Sequence, residues 1–277
     1  MNLAELWNDL WQEQRALMFF GAAFGALLLI LAAISLFDAQ PILGINRWIK
    51  PMKFAVSIAI FLWTMAIYLN FLPGFETSKR VVAWGVIAML IGEIVIIVMQ
   101  AARGTTSHFN NENAFDGAMF SLMGLMVSLS TLLVIYLTWL YFRADFNLPT
   151  ALVWGMRLGL ILFLLASFEG AYMSAQLGHT VGAADGGAGL PVVNWSKSAG
   201  DLRVAHFIGM HALQMIPLAA LGFVWLQNRA FKFNPTVLTF AFALFYLAAF
   251  SFVFIQAMQG KSLLAIEKIQ AGEEFKK

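Results

Sequence analysis

The residues best suited to chemistry stand together in Asp201-Leu202-Arg203-Val204-Ala205-His206-Phe207-Ile208-Gly209-Met210-His211-Ala212-Leu213-Gln214. An acid, an arginine, two histidines and a glutamine open a segment that is otherwise apolar. On a helix, Arg203, His206, His211 and Gln214 fall within an arc of roughly 140°. A second set runs through Glu93, Gln100 and Arg103, whose spacings of seven and three share one helical face. It continues through Gly104, Ser107, His108, Phe109 and Asn110 to Asp116. Glu169 and Tyr172 form a third, smaller group.

Imidazoles bind metals and haem, and they exchange protons near neutral pH. Three chemistries therefore fit these residue types. A catalytic zinc needs three protein ligands and an open position for water. His108, His206 and His211 would supply the nitrogens, with Asp116 or Glu169 as base and Arg103 or Arg203 holding an anionic or ester-bearing substrate. A haem b or quinone site would draw on His211 as its best-placed ligand, with His206 and Gln214 beside it. A non-enzymatic protein would use Glu93, Arg103, Glu169, Arg203 and the histidines to bind a small polar ligand or carry protons. The plain alternative is structural. Glu93 or Asp116 would pair with Arg103, Glu169 or Asp201 would pair with Arg203, and Asp201 would cap the helix it precedes. His206 and His211 are five apart, whereas two ligands on one helical face are usually four apart.

The elements that must position these groups are set by composition. The 277 residues are 61% hydrophobic and 12% charged, with a mean hydropathy of +0.78. Soluble domains carry about twice that share of charge. Apolar runs long enough to cross ~30 Å of hydrocarbon predict an all-α helical bundle with seven transmembrane helices. They cover 15–37, 51–72, 80–102, 115–142, 150–172, 202–227 and 236–259. Residues 1–14 predict a short amphipathic helix in the membrane interface. Leu3, Leu6, Trp7, Leu10 and Trp11 share a face, and Glu5, Asp9 and Glu13 stand where a signal peptide would be basic. Residues 260–277 read as a polar, solvated helical tail, so one transmembrane domain occupies 15–259.

The lipid bilayer is the first partner this composition implies, with a lipid or a small molecule as substrate. Cysteine is absent, which removes disulfides, thiolate metal sites and cysteine nucleophiles. A net charge of +2 without a basic tract excludes nucleic acid as a partner. The seventh span lacks the lysine that a retinal Schiff base requires. Phenylalanine (26) and methionine (14) are read as lipid-facing and packing residues, not as a cofactor box.

Turn chemistry marks the joints. Leu72-Pro73-Gly74 ends the second span, Asn147-Leu148-Pro149 separates the fourth from the fifth, and Phe233-Asn234-Pro235 opens the seventh. Pro51 is placed near the first turn of the second span, and Pro217 predicts a kink within the sixth. The glycine-rich connection 173–200 is long, and Trp195 with Val192-Val193 suggests that part of it folds back onto the helices. Seven spans put the termini on opposite sides, and all four histidines then share the side of the C-terminus. The short loops on the N-terminal side carry Lys79, Arg80, Arg143, Arg229 and Lys232. A raw count of Lys and Arg favours the other side. Setting aside the charges that belong to polar motifs and to the tail places the N-terminus in the cytoplasm.

Arg103-Gly104-x-x-Ser107-His108-Phe109-Asn110 with Asp116, and Asp201-Leu202-Arg203-x-Ala205-His206-Phe207-x-Gly209-x-His211-x-Leu213-Gln214, resemble segments of bacterial multi-pass inner-membrane proteins of unassigned function. The likeness covers most of the chain, and it implies a bacterial inner-membrane bundle without supplying a reaction. Ser107, His108, Asp116, His206 and His211 are also similar in type to the zinc site of the seven-span alkaline ceramidases and adiponectin receptors. That resemblance implies hydrolysis near one membrane face. The departures are the spacing of five, the position of the pair in the sixth span instead of the last, and the adjacency of Ser107 to His108.

Overall fold

Inside hydrocarbon a backbone finds hydrogen-bond partners only in itself, so an apolar run of this length folds as a helix. The computed structural model describes residues 2–187, 189–229 and 232–263. Its element order is α1 (Leu3–Glu13), α2 (Arg15–Phe37), β1 (Pro41–Ile42), β2 (Ile45–Asn46), α3 (Ile49–Phe71), α4 (Glu76–Arg103), α5 (Ala114–Arg143), α6 (Thr150–Ala175), β3 (Thr180–Val181), β4 (Gly200–Asp201), α7 (Leu202–Gln227) and α8 (Pro235–Met258). The seven helices from α2 to α8 are long and apolar enough to cross a membrane. This is a multi-pass, all-α membrane protein. Span limits differ from the sequence reading mainly where polar ends continue the helix: α4 starts at Glu76 and α6 runs on to Ala175. The tail reading for 264–277 lies outside the described residues.

The joints follow local chemistry. Asn2 and Glu5 form a reciprocal capping box on α1, which buries Leu10 and leaves Trp7 exposed. Asn113 caps α5 by accepting from the Asp116 amide. Asn234 caps α8 directly ahead of Pro235. Pro51 is the third residue of α3, still within the turn where a missing amide proton costs little. Pro217 lies inside α7.

The chain divides into two compact units, Met1–Pro149 and Thr150–Lys277. In the first, Leu31, Trp48, Ala55 and Ala101 join α2, α3 and α4 around one buried cluster. Ile96, Ile97, Met123 and Met126 join α4 to α5. The buried Tyr141 hydroxyl donates to the Tyr68 carbonyl at 2.7 Å, tying α5 to α3. The connection after α2 is a small antiparallel hairpin, with Pro41 opposite Asn46 and Ile42 opposite Ile45.

In the second unit, Leu162 of α6, Ala212 and Ile216 of α7 and Ala243 of α8 pack together. The Tyr246 hydroxyl donates to the Ile208 carbonyl at 2.6 Å. Small residues let α6 and α7 approach closely, which is how membrane helices gain packing when lipid offers no hydrophobic contrast. The glycine-rich connection folds back: Thr180 pairs with Asp201 and Val181 with Gly200, and Gly189 bridges Ser196. Exposed Leu244, Phe245 and Phe252 on α8 are suited to lipid.

A Cβ at Gly209 would lie 2.5 Å from Ala166 Cβ and 2.8 Å from the Phe250 ring. Gly209→Val should therefore force α6 and α7 apart at a cost of about 1–3 kcal/mol. A thermal scan in detergent should show a lower unfolding temperature than for Gly222→Val, because nothing lies within 4 Å of a Cβ at Gly222.

Candidate functional site

Within the first unit, the polar residues of α4 and α5 are gathered at one helix junction. Arg103, the last residue of α4, donates to the Gln100 Oε1 and to Asp116 in the first turn of α5. Gln100 Nε2 also donates to Asp116 Oδ1 at 2.8 Å, and Asn113 Nδ2 donates to Asp116 Oδ2 at 2.6 Å. Asp116 is buried with both oxygens engaged, and the Arg103 guanidinium lies over the Phe115 ring at 4.6 Å. This arrangement holds the α4–α5 corner in shape and leaves Asp116 little capacity as a base. His108 stands among Phe54, Phe109 and Phe120, with ring centroids 5.4, 6.0 and 6.4 Å away, and its Nδ1 is 3.1 Å from the Ser107 hydroxyl.

A neighbouring junction was not anticipated from sequence. Asp38 caps the end of α2 and accepts from Arg47 and from Trp48 Nε1, while Arg47 Nη1 donates to the Ala102 carbonyl at 3.2 Å. The Arg47 hydrogen bond is the main reason that the Asp38 carboxyl is held below its usual range. Two residues of the α2–α3 connection thus satisfy carbonyls and carboxylates at the ends of two helices. The sequence signal was the Asp38…Arg47-Trp48 spacing, which has no fixed periodicity.

Within the second unit, the Arg203 guanidinium is engaged by neighbouring protein groups. Its Nε and Nη2 donate to the two oxygens of Asp201 at 2.9 and 2.6 Å, and Nη2 also donates to the Asn194 carbonyl. Asp201 caps α7 through the Arg203 amide as the sequence suggested, and it also accepts from the Ser196 amide at 2.8 Å. The His179 Nδ1 is 3.3 Å from Asp185 and 3.8 Å from Asp201. Asp185 in turn accepts from the Thr180 amide at 2.9 Å. The head of α7 and the glycine-rich connection are therefore fastened by one carboxylate. Trp195 continues this contact: its ring meets Phe207 edge-on at 5.7 Å, and Phe207 meets His211 at 4.4 Å.

Glu169 and His206 form the pair with most chemical capacity. His206 Nδ1 lies 2.9 Å from Glu169 Oε2 and 3.0 Å from the Ala166 carbonyl oxygen. A carbonyl oxygen only accepts, so Nδ1 is the donor, which leaves the lone pair of a neutral ring on Nε2. The Glu169 side chain is 4% exposed and the His206 side chain 31%, so a buried carboxylate supports an accessible imidazole. Glu169 Oε1 has no protein partner. Gly170 makes room for the ring, because a Cβ there would be 2.8 Å from His206 Cε1. That glycine beside a membrane glutamate was the available sequence signal for the pairing. The accepting carbonyl of Ala166 had none.

His211 is engaged differently, with its Nδ1 3.2 Å from Gln214 Oε1. Sharing a helix does not make the two histidines one ligand set, because a spacing of five turns their side chains to different neighbours. Among the described residues, no group of three or more His, Asp or Glu side chains is arranged to hold a metal ion. Compared with known proteins, the chain matches no family model, no curated protein and no solved structure.

Asp201 gives a pH dependence. Burial raises its pKa most strongly of the single influences, yet the Arg203 hydrogen bond and charge, the Ser196 amide and the His179 charge together hold it below the ordinary 3.8. The folded state thus favours the charged form. Its contribution is complete above the unfolded value and fades as pH falls through the lower folded value. Hydrogen exchange at the Ser196 and Arg203 amides should accelerate relative to the mid-helix amides of α7 as pH drops below 3.8. In Asp201→Ala the acceleration should be present at every pH.

Proposed function

We propose that this protein is a bacterial inner-membrane enzyme in which His206 transfers protons to and from a lipid or a small polar substrate, with Glu169 as its supporting carboxylate. The carrying observation is the paired acceptance by Glu169 and the Ala166 carbonyl at Nδ1, which fixes one tautomer and presents Nε2 as a base. A buried carboxylate behind an imidazole orients the ring and stabilises the imidazolium that forms when Nε2 takes up a proton. A site at the head of a membrane helix suits a substrate approaching from the polar side of the bilayer. The resemblance of the two polar segments to bacterial inner-membrane proteins supports the location.

The same lone pair is the atom through which a histidine would hold haem b or a metal, and a carboxylate on the opposite nitrogen is a familiar support for such ligands. The three-histidine zinc site fits this structure less well, because His206 and His211 have separate partners and, among the described residues of their unit, no third ligand joins them. Acid–base work by His206 needs only the pair observed.

Nitrogen-15 NMR of histidine-labelled protein should show the His206 neutral tautomer protonated at Nδ1, and Glu169→Gln should perturb that signal. Against fluorogenic acyl esters and labelled phospholipids, His206→Gln should lower turnover by about 10²-fold or more, the usual share of a general base. Equal turnover in wild type and variant would overturn the reading, and a Soret band in the purified protein would favour haem ligation instead.

The short basic loops around Lys79, Arg143 and Arg229 support a cytoplasmic N-terminus. Since the chain has no cysteine, single replacements report sidedness directly. In intact cells a membrane-impermeant maleimide should label Ser198→Cys and spare Glu76→Cys until the cells are opened.

A further inference from the structure

Glu93 lies within α4, ten residues before the helix ends at Arg103. At ~1.5 Å per residue that is about 15 Å inside the span. Its residue surface is 3% exposed, and its Oε1 is buried without a protein partner. A carboxyl in such a place is a costly choice. A leucine would pack there for less, and a glutamine would carry the same shape without a titratable proton. Asp116 of the same unit shows what a structural carboxylate looks like, with every oxygen accepting from a neighbour.

The charged surroundings of Glu93 are limited. On its own helix, Gln100 and Arg103 are committed to Asp116 and to one another. Helix α2 offers Arg15 at its far start, and α5 offers the engaged Asp116, Tyr136, Tyr141 and the terminal Arg143. Helix α3 contributes Lys50, Lys53 and Tyr68, and of all these groups the one whose charge acts on Glu93 is Lys50. The site is thus a buried carboxyl with an open oxygen on α4, which packs against α3, whose first turn carries Lys50.

We propose that Glu93 is a proton-binding site of the first unit, taking up a proton on Oε1 from the aqueous side and releasing it again while Lys50 supplies the compensating charge. Binding forms one O–H bond on the carboxylate and release breaks it, with water as the source and the sink. This site belongs to α3 and α4 and is independent of the Glu169–His206 reading, so either stands if the other fails.

The test uses the full chain in liposomes. Infrared difference spectra between acid and alkaline pH should contain the carbonyl band of a protonated carboxyl. That band should be lost in Glu93→Gln, displaced in Glu93→Asp, and retained at its position in Glu169→Gln. Lys50→Met should change the pH at which the band appears. Dicyclohexylcarbodiimide, which adds across the O–H of protonated carboxyls in apolar surroundings, should label Glu93 in preference to Asp116, as read by peptide mass spectrometry. A difference spectrum unchanged by Glu93→Gln in a folded variant overturns the proposal, as does a band whose pH is untouched by Lys50→Met.

Discussion

The structure depends on one constraint: a polar group removed from water must find a partner within the protein. In hydrocarbon each failure costs several kcal/mol. The helices meet the requirement for their own backbone, and the demand concentrates at their ends. There, Asp38 with Arg47, Asp116 with Gln100 and Arg103, and Asp201 with Arg203 serve in turn as anchors. Each anchor uses a carboxylate to gather donors from two chain segments. Short connections are thereby held in defined shapes without a large loop core.

Against that background the oxygens left without a protein partner gain meaning. Among the described residues, Glu93 Oε1 and Glu169 Oε1 are the carboxylate oxygens buried without a hydrogen-bond partner, beside the Ser130 hydroxyl and Gln256 Oε1. Glu169 uses its second oxygen to fix a histidine tautomer, which converts an expensive burial into a directed base. Arg103 and Arg203, by contrast, spend their guanidinium groups on helix ends. The arginines thus contribute to shape, and the proposed chemistry is assigned to a glutamate and a histidine. Close packing makes this division possible, since Gly170 admits the His206 ring and Gly209 lets α7 lie against α6.

The helical architecture was largely legible from residues alone. Hydropathy over twenty residues is an additive property of composition, and it placed α2 and α7 to the residue. The cap at Asp201 was legible for a similar reason, since a capping side chain bonds amides two or three positions along its own chain. The α1 face was also local information, with Leu3, Leu6, Leu10 and Trp7 on one stripe of a short helix.

What the sequence could not decide was the choice of partner among residues far apart in the chain. Asp116 was equally eligible as a catalytic base or an ion-pair partner, and only the arrival of Gln100, Arg103 and Asn113 at its two oxygens made it an anchor. Glu169 was equally eligible for Arg203, yet Arg203 is held by Asp201 two residues away and Glu169 meets His206, 37 positions on. Composition and periodicity say which groups enter the membrane, because transfer energies belong to single residues. Hydrogen bonds belong to pairs and are directional over about 3 Å, so their assignment had to wait for the packing of α6 against α7 and of α4 against α5.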